Sequence, residues 1–256
     1  MTIRIDPRQQ NQESTLAPVE VSPVAVLYSP FRERFGIPRQ PGLVPDVPGR
    51  LVLLPPYDRA EAVAGLEDFS HVWLLFRFHA NPASGPALTV RPPRLGGNER
   101  VGVFASRSPY RPNSIGLSVA RLEAVEQTPQ GPVLRLRGVD LLDGTPVLDV
   151  KPYVPYADAL PEARGGFAAG DIARLPVRFL PDAERRLRER SDRDEVRAVI
   201  EAVLALDPRP GYRQGVPDSG RSLGMRLYDF DLRWRVRQGV AEVLDLAPVG
   251  GAAEQG

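Results

Sequence analysis

Cysteine is absent from this 256-residue chain, so disulfides, thiolate metal sites and cysteine nucleophiles are excluded. Histidine is nearly absent: His71 and His79 are the only two, no H-E-x-x-H occurs, and no histidine-rich zinc centre can be built from them. No G-x-S-x-G segment accompanies them, which argues against a serine–histidine–acid triad. A G-x-G-x-x-G fingerprint is missing too, since the glycines of GGFAAG (165–170) are misplaced, and Lys151 follows a valine, so there is no phosphate-binding Walker loop. No apolar run approaches the roughly 18 residues of a membrane span, and the N-terminus lacks a charged-then-apolar signal pattern. These absences lead to the expectation of a cytoplasmic protein with no metal and no membrane partner.

Lysine is scarce as well. Lys151 is the single lysine among 33 basic residues, a pattern that goes with 28 prolines and two methionines as the compositional bias of a GC-rich genome. An ammonium that escaped this bias stands out, because lysine and arginine are not interchangeable at a specific contact. The remaining composition, 42% hydrophobic and 25% charged with a net charge of +1, is that of a globular protein with a proper core. With so little net charge, a nucleic-acid partner has to be held by a local basic patch.

Residues 1–20 are polar and aperiodic and are expected to be a flexible leader. From Val21 the texture is β: short apolar runs at 24–28, 51–54, 72–79, 101–105, 117–124, 133–139 and 147–150 recur between prolines and glycines, as in a barrel or sandwich. A short helix, capped by Asp58 and ended by Gly65, interrupts them. In the run 70–79, Val72, Leu74, Phe76 and Phe78 share one face, while His71, Trp73, Leu75, Arg77 and His79 share the other. The texture changes near residue 165. AERRLRER reads as a helix, and Ser191 with Asp194 resembles a capping box before a stripe of Val196, Val199, Ile200, Val203 and Leu204. Tyr228 to Arg237 alternates as a strand and turns at Gln238-Gly239 into another. The expected organisation is a β-barrel or sandwich domain at 21–164, a smaller α+β C-terminal domain at 165–247 and a flexible tail at 248–256.

Four stiff loops carry most of the polar groups: SPFRERFGIPRQPGL (29–43), RPPRLGGNERVGVF (91–104), ASRSPYRPNSIGLS (105–118) and DLLDGTPVLDVKPYVPYAD (140–158). Proline fixes torsions and glycine permits close approach, so such loops suit a small-molecule site on a barrel rim. Charge is unevenly spread. Residues 91–111 hold five arginines and one glutamate, 208–237 seven arginines and three aspartates, and 140–171 six acids and two bases. That is a positive face beside an acidic pocket, and it nominates Arg111, Arg209, Arg233, Arg235 and Arg237 for RNA phosphates, the last three standing equally well as a solvated strand face, with Tyr110 or Tyr212 for base stacking. Lys151 either neutralises a bound anion or pairs with Asp149 or Asp158 to brace its loop.

In order and wording, FGIPRQPGL, DFSHVWLLFRFH, RPPRLGGN, VGVFASRSPYRPNSIG and DLLDGTPVLDVKPYVPY, followed by DPRPGYR and FDLRWRV, resemble the TrmO (YaeB, TsaA-like) family of transfer-RNA methyltransferases over Val24–Arg237. The resemblance implies a small antiparallel β-barrel, not a Rossmann sheet, that binds S-adenosylmethionine (SAM). It also implies a homodimer with the donor near the subunit interface and a C-terminal domain that grips the anticodon stem-loop. The implied reaction is N6-methylation of threonylcarbamoyladenosine at position 37. Donor contacts carried over by the same resemblance fall on Pro38, Arg39, Gln40, Phe78, His79, Arg107, Leu117 and Asp140, Leu141, Leu142 and Asp143.

The residue chemistry fits this. A carboxylate wants an arginine fork, ribose hydroxyls and an ammonium want carboxylates, and a sulfonium is stabilised by aromatic faces. Methyl transfer is an in-line displacement, for which alignment supplies up to about 7–11 kcal/mol. The acceptor nitrogen is urea-like, so a base helps, and Asp140, Asp143 and Asp149 are the candidates among which sequence does not choose. Two alternatives stay open at this point: a SAM-binding RNA-binding or regulatory protein without turnover, and a methyltransferase of the same fold with another substrate.

Overall fold

The computed structural model describes residues 19–81, 87–170, 172–210 and 220–249. Most of the expected leader and tail lies outside them, as does Tyr212. In chain order the strands and helices are β1 (Ala25–Tyr28), β2 (Pro48–Leu53), β3 (His71–Arg77), β4 (Thr89–Val90), β5 (Val101–Gly102), β6 (Ile115–Thr128), β7 (Gly131–Arg137) and β8 (Thr145–Pro152). There follow α1 (Pro155–Asp158), β9 (Val177–Phe179), α2 (Pro181–Arg188), α3 (Arg193–Ala205), β10 (Leu223–Leu227), β11 (Phe230–Arg237) and β12 (Val240–Pro248).

Six strands close an antiparallel barrel in the order β1-β2-β7-β6-β3-β8, completed by the pairing of β1 with β8. The alternation read from sequence is what closes it: Val72, Leu74 and Phe76 of β3 point inward with Leu27, Leu51, Ala120, Leu134, Leu136 and Val147, all buried. Between β3 and β6 the chain leaves the barrel as a polar arm whose ladder, among the described residues, is the short β4–β5 pair. The run expected as a strand at 101–105 is a strand only to Gly102. It then tightens into a 3-10 turn, Val103–Ala105, that buries Val103. The helix expected after Asp58 is likewise a 3-10 turn, Ala60–Val63, with Arg59 rather than Asp58 at the cap position.

A second, mixed sheet has the order β10-β11-β12-β9, with β9 parallel to β12. Phe230, Leu232, Trp234 and Val236 of β11 bury the apolar side of the strand, and the stripe on α3 is buried in full. Asp192, not Ser191, occupies the cap position of α3, without a side-chain cap bond. The turn after β11 takes positive φ at Gln238 (51°) and Gly239 (75°), as a tight hairpin demands. The cores of barrel and sheet form one continuous apolar cluster.

One glycine makes the end of β3 possible. Gly116 of β6 sits opposite Phe76, and a Cβ there would lie 2.2 Å from the tip of the Phe76 ring. That ring meets Phe78 edge-on, with centroids 4.9 Å apart. Gly116→Ala is expected to displace both rings and cost about 1–3 kcal/mol, read as a lower midpoint in thermal unfolding. Gly102→Ala, where nothing lies within 4 Å of the added carbon, should stay within about 0.5 kcal/mol of the parent.

Candidate functional site

The rim of the barrel, the polar arm and the β11–β12 end of the C-terminal sheet border a cleft of about 2810 Å³. Its floor is formed by the end of β3 (Phe76 to His79), the start of β6 (Ile115 to Leu117) and Asp140 to Leu142. Residues 34–43 and the arm form the sides, while Leu206 to Arg209 and Val236 to Gly239 face them from the second sheet. Ten arginines line the cleft against two aspartates, Asp140 and Asp207, among the described residues. A neutral protein thus presents a strongly positive hollow.

Local backbone conformation aims the floor. Asn113 and Ser114 both take positive φ, 64° and 50°, a rare conformation for residues with a Cβ. It lets the Ser114 carbonyl accept the Phe78 N–H at 2.8 Å, so the strained corner of RPNSIG holds the last residues of the aromatic strand in place. Arg107 Nη1 donates to Gln40 Oε1 at 2.6 Å and ties the arm to the 29–43 loop. Arg111 Nη1 donates to the Ser106 carbonyl at 3.1 Å.

Two charged groups are held in surroundings that do not fully balance them. Burial pushes the Asp140 carboxyl up to about 6, against the opposing pull of a 2.5 Å hydrogen bond from Ser118 Oγ, its own backbone N–H and Arg107. Burial also lowers the Arg39 guanidinium, with Asp207 across the cleft opposing. Asp207 itself is forked to Arg209 through two 2.7 Å contacts. A site with an under-compensated acid and an under-compensated base suits a ligand that carries both a carboxylate and groups that donate hydrogen bonds.

Most of the residues nominated from sequence come together here. Pro38, Arg39, Gln40, Phe78, His79, Arg107, Arg111, Leu117, Asp140, Leu141, Leu142 and Arg209 all line the cleft. Five others do not. Asp143 turns away from it: its carboxylate accepts the Ser29 N–H (2.9 Å) and pairs with Arg32, because the tight turn at Gly144 folds it back onto the 29–32 segment. Asp149 and Lys151 pair with each other at 2.9 Å on the outer wall of the barrel, two residues apart on β8 and therefore on one face. Asp158, the other partner considered for Lys151, accepts the Val154 N–H at 2.7 Å. Arg235 is committed to the buried Glu242 at 2.8 Å, and Arg233 is exposed on β11 outside the cleft. Arg237, one alternation further, does line it. Sequence reading did not single out Arg34, Phe104, Ser118 or Asp207. The arginine density of 91–111 signalled the arm as a whole, whereas nothing local marks Ser118, which the fold buries against Asp140, or Asp207, which it brings to the cleft.

An acid whose folded value exceeds its unfolded value binds an extra proton when folded, so stability falls as pH rises from about 4 through 6 and the full cost remains above it. Asp140→Asn keeps an oxygen for Ser118 and removes that cost. The variant is expected to unfold at a higher temperature than the parent at pH 8, by at most about 3 kcal/mol, and to lose the advantage by pH 4. A gain independent of pH would contradict the burial argument.

Comparison with known proteins converges on one family. Residues 26–159 match the family model of the tRNA-methyltransferase O N-terminal domain, and residues 172–249 match that of the TrmO C-terminal domain. The chain is 46% identical over 227 residues to the tRNA (adenine(37)-N6)-methyltransferase of Escherichia coli, covering 88% of this chain and 96% of that one. It is 51% identical over 230 residues, 89% of this chain and 97% of the other, to a Pseudomonas aeruginosa protein named "Putative S-adenosylmethionine-dependent methyltransferase RcsF". A crystal structure of TrmO from Pseudomonas aeruginosa superposes with a TM-score of 0.74 at 45% identity, over 90% of this chain and all of that one.

Proposed function

The chain belongs to the tRNA-methyltransferase O family, and on that premise we propose that it methylates N6 of adenosine 37 in transfer RNA with S-adenosylmethionine as donor. The observation that carries this reading is the presence of a part-buried acid, Asp140, and a guanidinium, Arg39, on one arginine-lined cleft. The residues present fit the methyl donor: Arg39 and the Arg107–Gln40 pair would hold its carboxylate, Asp140 its hydroxyls or ammonium, and Phe78 and His79 would offer flat faces to its adenine. When bound, the donor supplies a methyl group activated by the positive sulfur.

The protein's own contribution is alignment and charge. Rings held by the Ser114 corner and the Gly116 gap fix one face of the site, which is where most of the acceleration of an in-line displacement resides. Of the three acids considered as bases, only Asp140 faces the cleft. Ionised above about pH 6, it is the acceptor available to an N–H that must lose its proton. We assign threonylcarbamoyladenosine as the acceptor nucleoside, the anticodon stem-loop as the part of the RNA that is gripped, and the cytoplasm as the place of action. Residues 21–164 hold the donor in this assignment, and 165–247 complete the RNA surface. Among the described residues no helix is long and apolar enough to cross a membrane.

A homodimer is part of the proposal. Leu75 and Leu117 are direct neighbours on the outside of the barrel, as are Trp73 and Val119, giving an apolar wall beside the Asp149–Lys151 pair. Leu117, 51% exposed, belongs to this wall and to the cleft, so a second copy seated there would border the donor site. Sedimentation velocity is expected to show a dimer for the parent and a monomer for Leu75→Arg. A monomeric parent rejects the assignment.

The activity is tested on transfer RNA from cells lacking the endogenous enzyme. Mass spectrometry of the nucleosides should show threonylcarbamoyladenosine gaining one methyl group, with a rate that rises through about pH 6. Asp140→Asn should lower that rate by about a hundredfold or more. Donor binding without any methylated nucleoside would leave a binding protein and defeat the reading.

A further inference from the structure

Of the phenylalanine and tyrosine side chains that line the cleft, Phe104 is the most exposed, at 79%. Its exposure is built in. Val103, 3% exposed, anchors the 3-10 turn by donating its N–H to the Leu88 carbonyl at 3.0 Å. Ser106 closes the turn by donating both its N–H (3.2 Å) and its Oγ (2.8 Å) to the Val103 carbonyl. With Val103 pinned inward, the next side chain is forced out over the cleft. Leu88, whose carbonyl receives the anchor, is itself 87% exposed.

The surroundings of this ring are cationic. Arg91, Arg100 and Arg107 line the same cleft from the same arm. A large apolar side chain held in water is costly, and a setting of arginines is unsuited to an apolar peptide or an acyl chain. A ligand that alternates anionic groups with flat apolar faces satisfies both features at once, and single-stranded nucleic acid is such a ligand. The fixed outward turn also suits a base that is already unpaired, since no helix has to be opened to reach it.

We propose that Phe104 is a base-stacking residue, whose ring takes the face of an unpaired anticodon-loop base flanking the nucleotide to be methylated. This rests on the transfer-RNA reading above. Phe104 is 79% exposed whereas Asp140 and Phe78 of the same cleft are partly buried, so the ring holds a neighbour of the reacting base and sets how that base enters.

The test uses the full chain, a labelled unmodified anticodon stem-loop, and fluorescence anisotropy. Phe104→Ala and Phe104→Leu should weaken stem-loop binding by about five- to hundredfold, the range expected for one stacked base. Phe104→Trp should keep the affinity, with tryptophan emission quenched as RNA is added. Unfolding temperature, affinity for S-adenosylhomocysteine and the slope of affinity against salt should match the parent in all three, since stacking adds no phosphate contact. Parent-like binding by Phe104→Leu overturns the proposal, as does an unchanged RNA affinity with an altered sedimentation coefficient, which would place the ring in a contact between copies. A parent that binds no stem-loop removes the transfer-RNA reading itself, and the proposal with it.

Discussion

The cleft exists because residues 29–32 bind the barrel on one side and the second sheet on the other. Toward the barrel, Asp143 accepts the Ser29 N–H and pairs with Arg32, its own N–H donates to the Phe31 carbonyl at 2.9 Å, and Ser29 Oγ donates to the Leu141 carbonyl at 2.6 Å. Toward the sheet, Phe31 bridges to Leu227, the Tyr228 N–H donates to the Pro30 carbonyl at 2.8 Å, and Arg32 Nε donates to the Tyr228 carbonyl at 3.0 Å. A second tie runs from Arg137 to Glu195 at 3.0 Å and on to the Tyr228 hydroxyl. Arginines on opposing walls repel one another, and without these ties the same charges that attract a polyanion would push the walls apart. Tyr228, at φ 49°, is the point where both ties meet.

A buried carboxylate and a part-buried one show how the fold separates structure from chemistry. Glu242, 2% exposed, lies between Arg178 and Arg235, and hydrogen bonds from both hold its carboxyl below the ordinary range. It is a fully paired buried charge, the form in which such a group is tolerated. Asp140 receives one hydroxyl and a more distant guanidinium, and burial therefore dominates. The first acid has nothing left to offer a ligand, whereas the second is incompletely satisfied and faces the hollow. That contrast makes Asp140 a better candidate for chemistry than its position in the DLLD run does, because Asp143 in the same run is consumed by the 29–32 segment.

The barrel was legible because period-2 alternation is a local property: the inward faces of β3 and β11 can be read off their residues one by one. Cleft residues were legible in part for a different reason. Stiff proline- and glycine-rich corners are written into the sequence, and the family wording, together with the charge distribution that nominated Arg111 and Arg209, placed twelve side chains on one surface. What could not be read was which way a loop residue faces. Asp143 and Asp140 are three residues apart in a turn, and only the positive φ at Gly144 and the partners in 29–32 send them in opposite directions. Likewise Arg235 and Arg237 share one face of a strand by alternation. Only the placement of Glu242 on β12 distinguishes a structural guanidinium from one at the cleft.

Charge placement closes the argument. With a net charge of +1, the chain cannot attract a polyanion through its total field, and the ten cleft arginines matter only because acids are spent elsewhere. Glu184 with Arg197, Asp182 with Arg185, Glu123 with Arg121 and Arg137, and Asp231 with Arg226 neutralise basic residues outside the cleft. Such surface pairs contribute little stability each, so their value is in where they leave charge unbalanced. The lone lysine follows the same logic. Paired with Asp149 on the outer wall, its ammonium belongs to the face where a second copy is proposed to sit, and its escape from the arginine bias is to be sought there and not in the cleft.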